Sequence, residues 1–428
     1  MSKIIIKNGR VVDPSQGLDE VLDVIIEKNK IKALKKNVSE EESEIIDAKG
    51  KIVTPGLIDM HVHLREPGRE DKETIKTCSE AAAAGGFTTI FGMPNTSPVA
   101  DNQTVIEYVN SKARKEAVVN IYSVANITKK GQGQEMSEIA DLKKAGAIAL
   151  SDDGVDVPNS GVLRHAFEYA SELGMPVFSH SEDPDLAGTE WAMNEGYMST
   201  KLGLPGKPKE AEEVAIARNI EIARLAGVKL HITHINTETS ALLVSQGREK
   251  GLEVTCDTCP QFFTLDETLL ENYDPKLKMN PPIREKAELE AIKRRLADGT
   301  IDAITSDHAP HLLVEKDLEF ENCENGIVGL ETSLGLVLTF LVHKGIIDYQ
   351  RMVQLMSHNP AQISGLQNKG TLAPGADADI TVIDPEKEWT VNKNAFKSKG
   401  RNTPFHGWKL KGRAEKIMIE GHFINLNI

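Results

Sequence analysis

The chain has 428 residues, of which 40% are hydrophobic and 27% charged, and a formal net charge of −14. That is room for one large barrel and a small accessory domain, and so ordinary a globular balance excludes a mostly disordered chain. The negative charge argues against non-specific binding of nucleic acid or an acidic membrane, though a few local cations could still receive a small anionic substrate.

The N-terminus, MSKIIIKNGR, has only three consecutive apolar residues, far short of a signal-peptide core. Residues 3–54 then read as short strands and turns (KIIIKNGRVVDP, EVLDVIIEKNKIKALKK, SEIIDAKGKIVTP), and the far end reads alike (GTLAPGADADITVIDP, AEKIMIEGHFI). Chain ends often lie close together, so 1–54 and 366–428 are expected to form one small β-sandwich domain flanking a central domain of 55–365.

That centre alternates strands with helices. Candidate strands are 57–63, 87–92, 118–124, 147–151, 175–180, 228–234, 251–257 and 301–306. Helical candidates between them include KETIKTCSEAAAAGG, QTVIEYVNSKARKE, EMSEIADLKKAG and KAELEAIKRRLADG, mostly closed by Gly. Eight β-then-α units predict an α/β fold, a (β/α)8 TIM-like barrel whose chemistry sits at the C-terminal strand ends. No glycine-rich phosphate fingerprint follows the first strand to favour a doubly wound sheet.

The first strand, PGLIDMHVHLRE at 55–66, is expected by alternation to send Asp59, His61, His63 and Arg65 to one face and Ile58, Met60, Val62 and Leu64 to the other. The second ends in MPNT with Asn95, the fourth in ALSDDG, the fifth in VFSH with His180, the sixth in LHITH and the eighth in AITSDHAPH with Asp307. Alone, His180 would pass for a satisfied core histidine and Asp307 for a cap. Together on one rim they are ligand chemistry for zinc or another borderline divalent metal, because so many buried, uncompensated ionisable groups would each cost several kcal/mol. Parity in AIALSDD favours Asp153 for the lumen, with Asp152 as the alternative. On the sixth strand alternation does not choose between His231 and His234, and position favours His234. Cys256 and Cys259 are spaced Cys-x-x-Cys, but only Cys78 and Cys323 remain elsewhere, so they read as packing thiols. So few cysteines suggest a reducing, cytoplasmic setting. The run VGLETSLGLVLTFLVHKG, whose LGLVLTFLV is less than half a membrane span, reads as a core helix.

The motifs DMHVHLREPG, GMPNTSP, SDDG, KMNPPIR, TSDHAPH, GLETSLGL and SHNPAQISGL, with the ending KSKGRNTPFHGWKLKGR, resemble the amidohydrolase superfamily, specifically the longer, class I bacterial dihydroorotases. The likeness spans nearly the whole chain. It implies reversible conversion of N-carbamoyl-L-aspartate to L-dihydroorotate in de novo pyrimidine biosynthesis, with one or two zinc ions per subunit. It makes His61, His63 and Asp307 ligands of one zinc and His180 and His234 ligands of a second, with Asp153 bridging and Asp307 also catalytic. Many relatives bridge with a carboxylated lysine, but ALSDDG offers none. Substrate contacts implied are Arg65, Asn95 and His311 for the carboxylate, and Asn280 with the main chain of Val328 and Gly329 for the ring. CPQFF, with Gln261, stands where such enzymes often carry TPHH. The resemblance further implies a homodimer and association with aspartate transcarbamoylase. An allantoinase or hydantoinase would share the metal centre, and a non-catalytic scaffold for the transcarbamoylase should lack the ligands present here.

Overall fold

The computed structural model describes residues 3–39 and 43–426; the remaining residues of the expected end domain lie outside it. Isoleucine and valine at alternate positions make Lys3–Asp13 and Leu18–Glu27 an antiparallel pair, in register Ile4↔Ile26 and Ile6↔Val24. Gly17 turns the corner between them at φ 65°, a left-handed conformation that glycine adopts without a Cβ clash. Ser43–Asp47 and Ile52–Pro55 pair parallel to the first of these strands, and Lys30–Lys35 pairs with the second. Ile52–Pro55 then pairs antiparallel with Ile380–Thr390, which continues to Lys409–Ile419 and His422–Ile424. Both ends of the chain thus share one eight-stranded sheet. Its own core contains Ile4, Ile6, Val24, Ile26, Ile380, Val382 and Met418.

The central strands are Leu57–Val62, Phe87–Gly92, Asn120–Ala125, Ala147–Leu150, Val177–Ser179, Leu230–Ile232, Val254–Thr258 and Ala303–Ile304. They lie side by side in chain order, all parallel. Beyond the short eighth strand, His308 bridges to Val62, and the His63 N–H donates to the His308 carbonyl at 2.9 Å. This is the eight-stranded parallel barrel the alternating pattern predicts.

Two apolar populations define inside and outside. Phe91, Val124, Ala149, Phe178 and Ala303, from five different strands, cluster with scarcely any helix residue and so fill the lumen. Leu57, Val62, Leu64 and Leu150 pack instead among helix residues such as Ile75, Ile106 and Ile216. Ile58 and Met60 belong to the inner group, so the expectation that all four apolar residues of the first strand share one face is corrected. Register against the second strand slips between Leu57 and Ile58 and again between Asp59 and Val62, and such a bulge resets the alternation. Asp59 serves the backbone at this slip, its carboxylate accepting the Ser306 N–H at 3.1 Å and the His61 N–H at 3.1 Å.

The helix Ile75–Gly85 is boxed by Thr74 and Thr77 and ended by Gly86 at φ 92°. A Cβ on Gly85 would lie 2.2 Å from the Leu330 carbonyl, so glycine permits close packing against Leu330–Val337, the start of the expected core helix, which continues as a π-turn through Leu338–Val342. No helix among the described residues is long and apolar enough to cross a membrane.

Candidate active site

At the C-terminal end of the barrel strands lies a cavity of about 240 Å³. Its lining includes His63, Arg65, Asn95, Asp153, His180, His234, Asn280, Asp307 and His311. Two expected contacts are not there. The Val328 N–H donates to the Asn402 carbonyl at 3.0 Å and the Gly329 N–H to His308 Nδ1 at 3.2 Å, while Asn325 and Gly326 line the cavity in their stead.

Two groups of ligand-type atoms share one carboxylate. His61, His63 and Asp153 form one and Asp153, His180 and His234 the other, the atoms of each within 4.8 Å of one another. His61 Nε2 lies 3.3 Å from Asp153 Oδ1 and 3.6 Å from Asp307 Oδ1, and His63 Nε2 lies 3.2 Å from Asp307 Oδ1. On the other side His180 Nδ1 and His234 Nε2 approach to 2.8 Å, each 3.8 Å from Asp153 Oδ1. Neither ring nitrogen of buried His61 has a hydrogen-bond partner among the described residues. Buried polar atoms are rarely left so, and a divalent cation would satisfy nitrogens and carboxylates together. The donor set fits a metal.

On the fourth strand it is Asp153 that enters this group. The Asp152 carboxylate instead accepts the Ile127 N–H at 2.9 Å and Asn126 Nδ2 at 3.0 Å, holding a neighbouring loop. On the sixth strand both histidines are used differently. His231 donates to or accepts from Thr255 at 2.8 Å and pairs with Asp257 at 2.9 Å, beside lumen-filling Phe178. His234 reaches the cavity because its own φ is 43°, which breaks the alternation, and Asp257 Oδ1 fixes this turn by accepting its N–H at 2.6 Å.

The charges respond to crowding. Burial disfavours a charged His61, but Asp153 and then Asp307 outweigh it and push its pKa up to about 10. Burial likewise opposes ionisation of Asp153 and Asp307, and the histidines reverse it, holding Asp153 well below the carboxylate range and lowering Asp307. Burial lowers His234. For His180 burial is overcome by Glu182, whose Oε2 is 3.5 Å from Nε2, and the ring's pKa rises.

The opposite wall carries Arg65, with Lys72 behind it paired to Glu315 at 2.9 Å, and Glu324 also lines the cavity. Arg65 Nε donates to the Pro310 carbonyl at 3.1 Å, and Arg65 Nη2 lies 3.3 Å from His311 Nε2. Lys72 Nζ lies 3.2 Å from His311 Nδ1. Burial, then Arg65 and Lys72, depress His311 to about 2, so the ring is neutral. A guanidinium and an ammonium both only donate and a neutral ring has one acceptor, so His311 can accept from Arg65 or from Lys72 but not from both, and the Glu315 carboxylate lies 3.6 Å from its Nδ1. Whichever it accepts from, Arg65 Nη1 has no protein partner among the described residues, and Arg65 and His311 line the cavity side by side. Asn95 faces His63 instead: its Oδ1 meets His63 Nδ1 at 2.9 Å, which fixes the tautomer and leaves Nε2 for a metal.

Three participants carry no signal in strand periodicity. Glu182 and Lys207, an ion pair from the loops after the fifth strand, lie behind His180 and Asn280. Asn402, from the C-terminal segment, accepts the His311 N–H at 3.1 Å and donates to the Ala309 and Gly326 carbonyls at 2.9 and 3.0 Å; only the motif KSKGRNTPFHG pointed there. Gln261 is buried in the short turn Pro260–Phe263, outside the cavity lining. Cys256 and Cys259 are free and buried in separate apolar clusters.

A family model described as Dihydro-orotase-like matches residues 50–240. The dihydroorotase of Geobacter sp. (strain M21) is 52% identical over 98% of this chain and 99% of its own length. That of Syntrophus aciditrophicus (strain SB) is 47% identical over 99% of each. Among solved structures, L-hydantoinase (dihydropyrimidinase) from Arthrobacter aurescens superposes with a TM-score of 0.90 at 27% identity, covering 99% of this chain and 96% of that one. Dihydropyrimidinase from Brevibacillus agri NCHU1002 gives 0.86 at 28%, covering 99% and 95%. With a near full-length relative at this identity and a barrel of the amidohydrolase type, the chain belongs to the dihydroorotase family of cyclic-amide hydrolases.

Proposed function

We propose that the chain is a zinc-dependent dihydroorotase that interconverts N-carbamoyl-L-aspartate and L-dihydroorotate in pyrimidine biosynthesis. The observation that carries this reading is the pairing, across one cavity, of two His/Asp groups sharing Asp153 with a wall headed by Arg65 and His311. His61, His63 and Asp307 would hold one zinc and His180 and His234 a second, with Asp153 common to both. Zinc bound there supplies Lewis-acid polarisation of the amide carbonyl and lowers the pKa of water to about 7.

The chain's own side chains do the rest. Arg65 Nη1, without a protein partner among the described residues, and Nη2 converge on the substrate carboxylate beside His311, and a planar fork is better matched to it than an ammonium. Asn95 adds its Nδ2, which otherwise makes only a 3.4 Å contact with Asp153. In ring opening, water oxygen bonds to the carbonyl carbon and the carbon–nitrogen bond breaks. Asp307 accepts the water's proton and delivers it to the departing nitrogen; its lowered pKa leaves it ionised and ready to accept. Ring closure runs the same transfers backwards.

Barrel boundaries at 55 and 365 and a cytoplasmic setting, supported by four free buried cysteines, belong to the same reading. So do the homodimer and the association with aspartate transcarbamoylase, supported by the motif resemblance and testable by sedimentation with and without that enzyme. The deciding experiment is zinc analysis of the purified protein alongside turnover of L-dihydroorotate, hydantoin and allantoin. The expected result is bound zinc with dihydroorotate turned over fastest. A preference for hydantoin or allantoin would overturn the substrate, and zinc-replete protein inert on all of them would point to a scaffold.

A further inference from the structure

Lys207 is almost wholly enclosed, with 2% of its side chain exposed. It ends the two-residue strand Gly206–Lys207, in the excursion that follows the fifth barrel strand. Its ammonium has three neighbours: the Glu182 carboxylate, with which it forms an ion pair; Asn280 Oδ1 at 2.6 Å; and the face of Trp191, whose ring centre is 4.3 Å away. Asn280 in turn lines the cavity.

An ammonium has three donors and no acceptor. It therefore decides which end of the Asn280 amide it meets, since a flipped amide would set donor against donor at the same short distance. With the oxygen held back by Lys207, the amide NH2, which has no protein partner among the described residues, is left for the cavity. We propose that Lys207 is a positioning residue that acts through Asn280, presenting this NH2 as a fixed donor to a carbonyl oxygen of the substrate. Glu182 pairs with the ammonium and holds it in place, and Trp191 covers it. The site thereby accepts cyclic amides or ureides with an acceptor oxygen at that point and refuses a donor there. Without the ammonium the amide could present either end, and part of the population would meet the substrate wrongly. The inference rests on the cyclic-amide reading above.

A kinetic double-mutant cycle on zinc-loaded protein tests it, with L-dihydroorotate as substrate and four proteins: wild type, Lys207→Met, Asn280→Ala and the double variant. Lys207→Met is expected to raise KM roughly 10-fold, the scale of a polar contact left unmade in a buried site. The change in kcat should stay below about 3-fold and zinc content should not move, because the lysine touches neither the reacting atoms nor the ligand nitrogens. The double variant should be no worse than Asn280→Ala alone. Unchanged KM in Lys207→Met, or losses that add in the double variant, would overturn the inference. If Lys207→Met is insoluble, Lys207→Gln, whose amide can donate or accept and so no longer fixes the Asn280 amide, takes the same corner of the cycle and is read in the same way. Wild-type protein that does not turn over dihydroorotate would overturn the substrate reading instead, and that is seen before any substitution is made.

Discussion

The two ends of the cavity are deficient in opposite charge. At one end His61 keeps two buried ring nitrogens without a hydrogen-bond partner among the described residues, beside the Asp153 and Asp307 carboxylates. At the other, the Arg65 guanidinium stands beside His311 with its Nη1 unpartnered among the described residues, and Lys72 lies behind the ring. Lone pairs and anions lacking a cation on one side, and a guanidinium lacking an anion on the other, describe the missing partners by sign. A divalent cation at the first end and a ligand carboxylate at the second would meet the two demands.

The comparison can be broken at the metal end first. Asp153→Ala is expected to do the greatest harm, removing the carboxylate common to both groups: zinc stoichiometry should fall and turnover of dihydroorotate should vanish. Its neighbour is the control, since Asp152→Ala strips acceptors from a loop and should lower stability by about 1–3 kcal/mol, seen as a lower melting temperature, while activity per bound zinc stays near wild type. The reverse ranking would mean that the wrong aspartate has been assigned to the lumen. Asp307→Asn should retain most of the zinc and the fold yet lose at least about 100-fold in kcat, because an amide cannot carry the proton. Near-native turnover would remove Asp307 from the chemistry.

At the anion end, Arg65→Lys should raise KM by about 10-fold with zinc content unchanged, the charge surviving but the fork lost. An unchanged KM would take Arg65 out of the carboxylate site. The smallest expected effect is none: zinc-free protein should regain full activity with zinc alone in bicarbonate-stripped buffer, since the shared carboxylate is a genetically encoded aspartate and not one built from carbon dioxide. Recovery that scaled with bicarbonate would contradict that.

How much of this was legible in the sequence depended on whether a residue obeys its strand. The barrel strands are legible as periodic segments, and alternation through Ala147–Leu150 points to Asp153, which lines the cavity. The strand does not keep that alternation, however: Ala147 packs with Leu150 among helix residues and Ile148 with Ala149 in the inner group, where pairing with the third strand slips register. Alternation misjudged Ile58 and Met60 because the strand slips register around Asp59, a property of its pairing with the second strand and not of its own residues. It was silent on His231 and His234 because His234 leaves the strand conformation altogether. Lys207 and Asn402 were out of reach for another reason: they act at the site from distant segments, 73 and 91 residues from the partners they hold, and no local pattern encodes such a meeting. Val328 and Gly329, carried over by resemblance, have amides that are engaged by Asn402 and His308.

Arg65, His234 and Asp307 have φ of 59°, 43° and 48°. None is glycine, and each turns its side chain into the cavity from the end of a different strand. A left-handed residue with a Cβ is strained by roughly 1 kcal/mol or more, so the barrel concentrates tension where it recognises its ligands. Glycine at any of these three positions would relax the backbone and delete a functional group in the same stroke. Variants selected for heat tolerance alone would therefore drift towards a firmer but idle barrel, and thermostabilisation that keeps turnover has to be sought away from this rim, in the terminal sheet and the outer helices.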